Sequence, residues 1–397
     1  MISVQEADRI ILGTSLPPQI ETIPYQQAVG RVLAEDIVAD RDFPPFNRVS
    51  MDGIAIAYKS FESGQRKFQI EGIQAAGSQQ LTLNDAANCI EVMTGAVAPK
   101  NTDTIIRYED VKIEEGQALI TIEDVRPSQN NHKQGTDRNA GDVIISKHTK
   151  ISGAEMGVIT SVGQTEVKVY TIPKIAIIST GEELVDVAET PLPHQIRKSN
   201  VHSVHAALNI HGLQANLFHL PDHREQIHEK LESIMANHEV LILSGGVSKG
   251  KYDYLPEAFD RLGVEKLFHK IQQRPGKPFW FGKKAQSNVI FAFPGNPVST
   301  FMCLHRYFFP WIKQQQMTST KKMTAVLTRD FSFKPPLHFF LQVQIESSNG
   351  QLNAVPVVGH GSGDLANLVA ADGFLELPAD RSNFQAGEVF PYISYRV

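Results

Sequence analysis

Between residues 173 and 313 apolar runs of five or six residues alternate with amphipathic segments of a dozen or more, and this rhythm constrains the fold more than any other feature. Strands that are apolar throughout are buried on both faces, and helices that return the chain between them make the strands parallel. The expected strands are Lys174 to Ser179, Gln214 to Leu220, Val240 to Leu243, Val264 to His269 and Val289 to Phe293. The expected helices cover 200–210 after Ser199, 223–237 after an Asp222 cap, 254–262 after Asp253, and 298–312.

The flanking sequence has other periods. Ser3 and Glu6 form a capping-box pattern ahead of Val4, Ala7, Ile10 and Ile11, which predicts a short opening helix ending near Gly13. Asp42-Phe43-Pro44-Pro45-Phe46 reads as a stiff linker, because each proline fixes its own φ and biases its predecessor away from helix. Residues 47–130 carry short Ile, Val and Thr runs (Gly53 to Ala57, Cys89 to Met93, Thr104 to Ile106, Ala118 to Ile122) between turn residues, the pattern of a small β domain. Residues 131–172 hold a helix-like stretch, 153–162, and a strand, 166–171. They rejoin residues 1–46 as one discontinuous N-terminal domain. After an α/β domain at 173–317, residues 318–397 return to strands (Ala325 to Leu327, Phe339 to Ile345, Leu352 to Val358, Phe374 to Leu377) in a small barrel or sandwich. The fold class expected is multidomain α/β plus β.

Composition excludes several functions. Lys+Arg 38 against Asp+Glu 43 gives a net charge of −5, so no global positive field holds the chain on nucleic acid or an anionic membrane. Cys89 and Cys303 each sit among apolar residues without disulfide or zinc spacing, and are expected to be plain core residues. The acidic N-terminus lacks the basic stretch of a signal peptide and no apolar run approaches a membrane span, which predicts a cytoplasmic protein.

Chemistry is expected beyond the carboxyl ends of the parallel strands, where open α/β sheets bind ligands. Three loops stand there: Ser179-Thr180-Gly181-Glu182-Glu183, Ser244-Gly245-Gly246-Val247-Ser248, and Pro294-Gly295-Asn296-Pro297-Val298-Ser299. Glycines let backbone N–H groups approach an oxyanion, which suits a phosphate-bearing ligand. The same glycines would serve a plain tight turn, and it is their recurrence at equivalent strand ends that favours a ligand. Gly245 to Lys251 fits G-x-x-x-x-G-K, but Tyr252 follows where a Walker A loop needs Ser or Thr for magnesium. Gln273-Arg274-Pro275-Gly276-Lys277-Pro278 presents two cations on a proline-stiffened segment. Glu183, Asp222 and Asp253 are hard oxygen donors that suit magnesium better than zinc. His202, His205 and His211 are read as a solvated helix flank, and neither a nucleophile elbow nor a dinucleotide fingerprint occurs.

Ser50-Met51-Asp52-Gly53, Met93-Thr94-Gly95-Ala96, the three loops above, and Pro275-Gly276-Lys277-Pro278 occur together in a set order over most of the chain. In this combination the chain resembles the molybdopterin molybdenumtransferase family, the group of MoeA and the gephyrin E domain. The resemblance implies four domains: a discontinuous first domain, an inserted β domain at 47–130, a molybdopterin-binding α/β domain, and a C-terminal β-barrel. It implies transfer of molybdenum from molybdate to adenylylated molybdopterin, with release of AMP and assistance from Mg2+. By the same resemblance Asp52, Thr94, Asp137, Glu183, Asp253 and Lys277 are catalytic. Thr180, Gly181, Ser244, Gly245, Gly246, Ser248, Arg274, Pro294, Gly295, Asn296, Pro297 and Ser362 bind substrate, and Glu183, Asp222 and Asp253 hold metal. A homodimer is implied, with 1–46 and 131–172 as its dimerisation domain, and molybdopterin adenylyltransferase and molybdoenzyme maturation proteins as further partners.

The chain departs from the family pattern at several positions. His132 stands in place of Arg, Thr136 of Glu, Lys198 of Asp, His223 of Asp and Arg274 of Lys, while Leu337 and Leu341 stand near expected basic positions. The pocket is thereby less negative and has fewer oxyanion donors. Two other readings compete with the insertase. A stand-alone molybdopterin adenylyltransferase would lack the flanking domains, and a non-catalytic dimeric binding scaffold would not need Asp52, Glu183, Asp253 and Lys277.

Overall fold

The computed structural model describes every residue except 222, 248–253, 319–321 and 397. The chain divides into two compact units, one of residues 1–21, 30–32 and 169–397, the other of residues 22–29 and 33–168.

The first unit is built on a six-stranded sheet of β1 (Ile175–Thr180), β2 (Ala215–Leu220), β3 (Val240–Ser244), β4 (Glu265–His269), β5 (Trp280–Lys284) and β6 (Asn288–Phe293), in the order β2-β1-β3-β6-β5-β4. Strands β2, β1, β3 and β6 are parallel. Every residue of β1, β3 and β6 is buried, as expected of strands covered on both faces. One face packs Ile177, Ile242, Phe291 and Phe293 against the helix α1 (Val4–Leu12), α2 (Asn200–Ile210) and Trp311. The other packs Ile178, Leu241 and Ile290 against α3 (Arg224–Asn237) and α4 (Leu255–Arg261). Cys89 and Cys303 are both fully buried and unpaired, the core role their apolar neighbours indicated.

Several local expectations are corrected. Strand β4 is antiparallel to β5, a strand the sequence reading omitted, and β5 is antiparallel to β6. Only residues 270–279 join β4 to β5, too few for the helical crossover that a parallel pair needs. The helix expected over 298–312 is interrupted: α5 (Pro297–Cys303) passes into a π-helical turn, Leu304–Phe308, before a further helix over Phe309–Gln315. Pro310 has no N–H to donate, so the regular ladder cannot continue through it. Ser3 caps α1 by accepting from the Glu6 N–H at 3.1 Å, while the Glu6 carboxylate pairs with Arg9 instead of returning to the cap. Ser199 precedes α2 without a side-chain cap bond.

The C-terminal strands β7 (Met323–Leu327), β8 (His338–Ser348), β9 (Gln351–Pro356), β10 (Gly373–Leu377) and β11 (Val389–Ser394) close in the order β8-β9-β7-β11-β10 through pairing of β8 with β10. This five-stranded barrel, filled by Leu327, Leu341, Val343, Leu375 and Phe390, bears out the barrel reading. The short strand Gln273–Arg274 pairs with the start of β8.

The second unit holds a six-stranded sheet ordered Thr104–Arg107, Gly53–Ile56, Asn88–Val92, Lys67–Gln74, Gln117–Ile120, Val111–Glu114. Its helix Gly153–Ser161 starts in a complete capping box of Ser152 and Glu155.

Candidate functional site

The loops after β1, β3 and β6 meet at the carboxyl ends of adjacent parallel strands. Gly245 and Gly246 hold φ of +100° and +70°, and a Cβ on Gly245 would lie 3.0 Å from Thr180 Oγ1. A Cβ on Gly246 would reach Leu255 Cδ1 at 2.5 Å and Thr180 Oγ1 at 2.9 Å. The glycine pair thus lies directly over Thr180. Gly181 has φ +125°, and the Glu183 carboxylate folds back beside it, 2.3 Å from where a Cβ would stand. Gly295 has ordinary φ and faces Gly245, with 3.5 Å from its would-be Cβ to Gly245 Cα.

Two residues absent from the expected site join these loops. Asn200, at the start of α2, donates through Nδ2 to Ser244 Oγ at 2.8 Å and to the Gly295 carbonyl at 2.7 Å. Thr300 Oγ1 donates to the Pro294 carbonyl at 2.6 Å and lies 3.2 Å from Ser244 Oγ. Their only sequence signal was position, just inside helices that follow the loops. Asn296 Nδ2 donates to Ser362 Oγ at 2.8 Å, and the Val298 N–H donates to the Ser362 carbonyl at 3.1 Å. Ser362 is therefore gathered to the third loop, while Ser248, Asp222 and Asp253 lie outside the described residues.

Arg274 and Lys277 are both exposed and have no ion-pair partner among the described residues. The Arg274 guanidinium stands 5.9 Å from the Phe333 ring centroid. A cavity of about 320 Å³ beside it is lined by Arg274, Ser362, His360, Gln342 and aromatic rings, with no carboxylate among the described residues. Gln342 Nε2 is buried there with no partner among the described residues, although its Oε1 accepts from Asn367 at 2.9 Å. Among the departures, Lys198 pairs with Asp186 at 2.8 Å, Leu341 is in the barrel core, and His223 is exposed 3.9 Å from Glu182.

In the second unit Asp52 Oδ1 accepts from the Thr94 N–H at 2.6 Å, and this bond holds the Asp52 carboxyl below its usual range. His132 Nε2 is 3.0 Å from Asp137 Oδ1, with Arg48 Nη2 3.4 Å from the other ring nitrogen. Asp52 and Thr94 are thus one local pair and Asp137 with His132 another.

Two glycine substitutions separate fold from function at the loops. Gly246→Val should lower folding stability by ~2–4 kcal/mol, since strain at positive φ adds to overlap with Leu255. Gly295→Ala meets only ordinary contact and should stay within ~0.5 kcal/mol of the parent. Urea denaturation of both variants checks the contrast.

An open, largely parallel α/β sheet with glycine loops gathered at three strand ends, followed by a five-stranded barrel, places the chain in the class of α/β proteins that bind ligands at the carboxyl ends of their strands. Its relatives agree. Residues 2–163 match the MoeA N-terminal region (domains I and II), 176–314 the "probable molybdopterin binding domain", and 324–395 the MoeA C-terminal region (domain IV). A molybdopterin molybdenumtransferase of Synechocystis sp. is 42% identical over the whole of both chains. One of Bacillus subtilis is 28% identical over 100% of this chain and 94% of its own. The crystal structure of a molybdopterin biosynthesis MoeA protein from Pyrococcus horikoshii superposes with a TM-score of 0.84 at 27% identity over the full length of each. The chain belongs to the molybdopterin molybdenumtransferase family, and is a transferase by that membership.

Proposed function

We propose that this protein inserts molybdenum from molybdate into adenylylated molybdopterin, releasing AMP and forming molybdenum cofactor, and that it acts as a cytoplasmic homodimer. The observation that carries the reading is the convergence of the Thr180, Gly245 and Gly295 loops, with Arg274 lining a cavity beside Val298 and Ser362. Thr180, Gly181, Ser244, Gly245, Gly246, Gly295 and Asn296 would hold the pterin phosphate and phosphoanhydride. Pro294 and Pro297 keep the third loop extended around Asn296. Arg274 and Lys277 would attract the tetrahedral oxyanion, and Ser362 can still donate its hydroxyl proton because Asn296 uses only its acceptor side.

Magnesium fits this chemistry in a limited way. No group of three metal-capable side chains occurs among the described residues, and Glu183 is a carboxylate that folds back against Gly181 at the loops. Magnesium commonly takes one or two carboxylates and completes its shell with substrate phosphates and water, so Glu183 would hold it, with Asp222 and Asp253 as the further acids proposed. When bound, the ion would polarise the phosphoanhydride. Asp52, Thr94 and Asp137 are proposed to act on the partner chain's α/β domain.

Incubation of the full chain with adenylylated molybdopterin, magnesium and molybdate should yield active cofactor and AMP in equal amounts. AMP without cofactor, or neither product, would overturn the insertase reading. Lys277→Ala should raise the KM for molybdate about tenfold to a hundredfold, the equivalent of losing one charge-assisted contact of ~1.5–3 kcal/mol.

A further inference from the structure

The segment that carries Arg274 and Lys277 stands on a buried polar strut. Gln273 is fully buried and Tyr307, in the π-helical turn, is 1% exposed. The Tyr307 hydroxyl donates to Gln273 Oε1, and Gln273 Nε2 donates to the Gly276 carbonyl at 3.2 Å, lying 3.7 Å from Cys303 Sγ. The orientation of the amide follows from its surroundings. A carbonyl oxygen only accepts, so the side of Gln273 facing Gly276 must be the NH2, which leaves Oε1 for the tyrosine. Burial pushes the Tyr307 phenol well above its ordinary value, so it remains a donor.

The backbone around the strut leaves no slack. Gly276 has φ +85°, and a Cβ there would lie 2.7 Å from both Cys303 Sγ and Gln273 Nε2. The Ile271 N–H donates to the Lys277 carbonyl at 3.0 Å, and Gln273 pairs with His338 at the start of β8. The peptide units between the two cations are therefore fixed from beneath, while both cationic side chains point to the surface. We propose that Gln273, oriented by Tyr307, is a positioning residue that sets the spacing of Arg274 and Lys277 for oxyanion capture. This rests on the oxyanion reading of those two cations. The amide touches no substrate. It holds the Gly276 carbonyl, and through it the turn on which the cations are mounted, so the ordering cost is met in the folded protein rather than on binding.

Tyr307→Phe removes one hydroxyl and keeps the ring, and Gln273→Leu removes both ends of the strut at similar volume. In the full chain each should raise the KM for molybdate about fivefold or more, with kcat and the KM for adenylylated molybdopterin within twofold of the parent. A purely structural role would instead lower the thermal midpoint and the yield of active protein, leaving the molybdate KM unchanged. Tyr307→Phe is the milder change and serves where Gln273→Leu fails to fold. If Lys277→Ala raises the molybdate KM and neither strut variant does, the positioning role is overturned. If Lys277→Ala also leaves it unchanged, the oxyanion reading falls and the positioning role with it.

Discussion

Arg306→Met should lower folding stability by about 3–5 kcal/mol, the range seen when one member of a buried ion cluster is removed and its partners stay behind. The guanidinium makes a bidentate pair with Asp8 of α1, 2.7 Å to each oxygen, and its Nε donates to Glu376 of β10 at 3.0 Å. His338 Nε2 lies 3.2 Å from the other Glu376 oxygen. The Arg306 and Glu376 side chains are only 15% and 14% exposed, so solvent screens the cluster little. Burial alone would push the Glu376 carboxyl up, but the His338 hydrogen bond and the Arg306 charge outweigh it and hold the group at about 2. Because that folded value is depressed, the stabilisation is present above the ordinary carboxyl value near 4.5 and is lost as pH falls through about 2. In the Met variant burial is no longer opposed by Arg306, so Glu376 takes up its proton at higher pH and the destabilisation eases in acid. Urea midpoints of both proteins at pH 7 and below pH 4 test this. A deficit under ~1 kcal/mol, or one that does not shrink in acid, contradicts the account.

The same cluster shows what a sequence can and cannot disclose. Strands β1, β3 and β6 were legible because a strand covered on both faces must be apolar at every position, and few other structures demand that. Strand β5 was not. Trp280-Phe281-Gly282-Lys283-Lys284 is paired on both sides, but a glycine and two half-buried lysines occupy its second half, so only Trp280 and Phe281 show the apolar run of a covered strand. The glycine loops were legible from their place after strands. Asn200 and Thr300 were not, since an Asn or Thr early in a helix is ordinary and only the folded chain brings them to Ser244 and Pro294. Ser362 follows Asn296 by 66 residues, and no local pattern marks it; the family resemblance alone singled it out. The contacts of Arg306 with Asp8, and of Tyr307 with Gln273, likewise span 298 and 34 residues, distances over which no periodicity reports.

Mixing two inactive variants, Asp52→Ala and Glu183→Ala, should restore molybdenum insertion to about one quarter of the parent activity if the protein is a two-fold homodimer with shared sites. Both side chains are exposed, so neither change opens a cavity, and loss of the Asp52 bond leaves the Thr94 N–H to water. In a mixed dimer, the site that draws Asp52 from the Glu183→Ala chain and Glu183 from the Asp52→Ala chain carries neither substitution. The opposite site carries both. Random exchange makes about half of the dimers mixed, each with one intact site of two, which gives the expected quarter. Were each site instead confined to one chain, every site in the mixture would carry one substitution and nothing would be regained. Differently tagged variants, exchanged and purified through both tags, yield the mixed dimer directly, and its activity should be about half that of the parent dimer. A mixed dimer that is isolated intact and remains inactive would overturn the shared site, and with it the roles proposed for Asp52 and Thr94 on the partner chain.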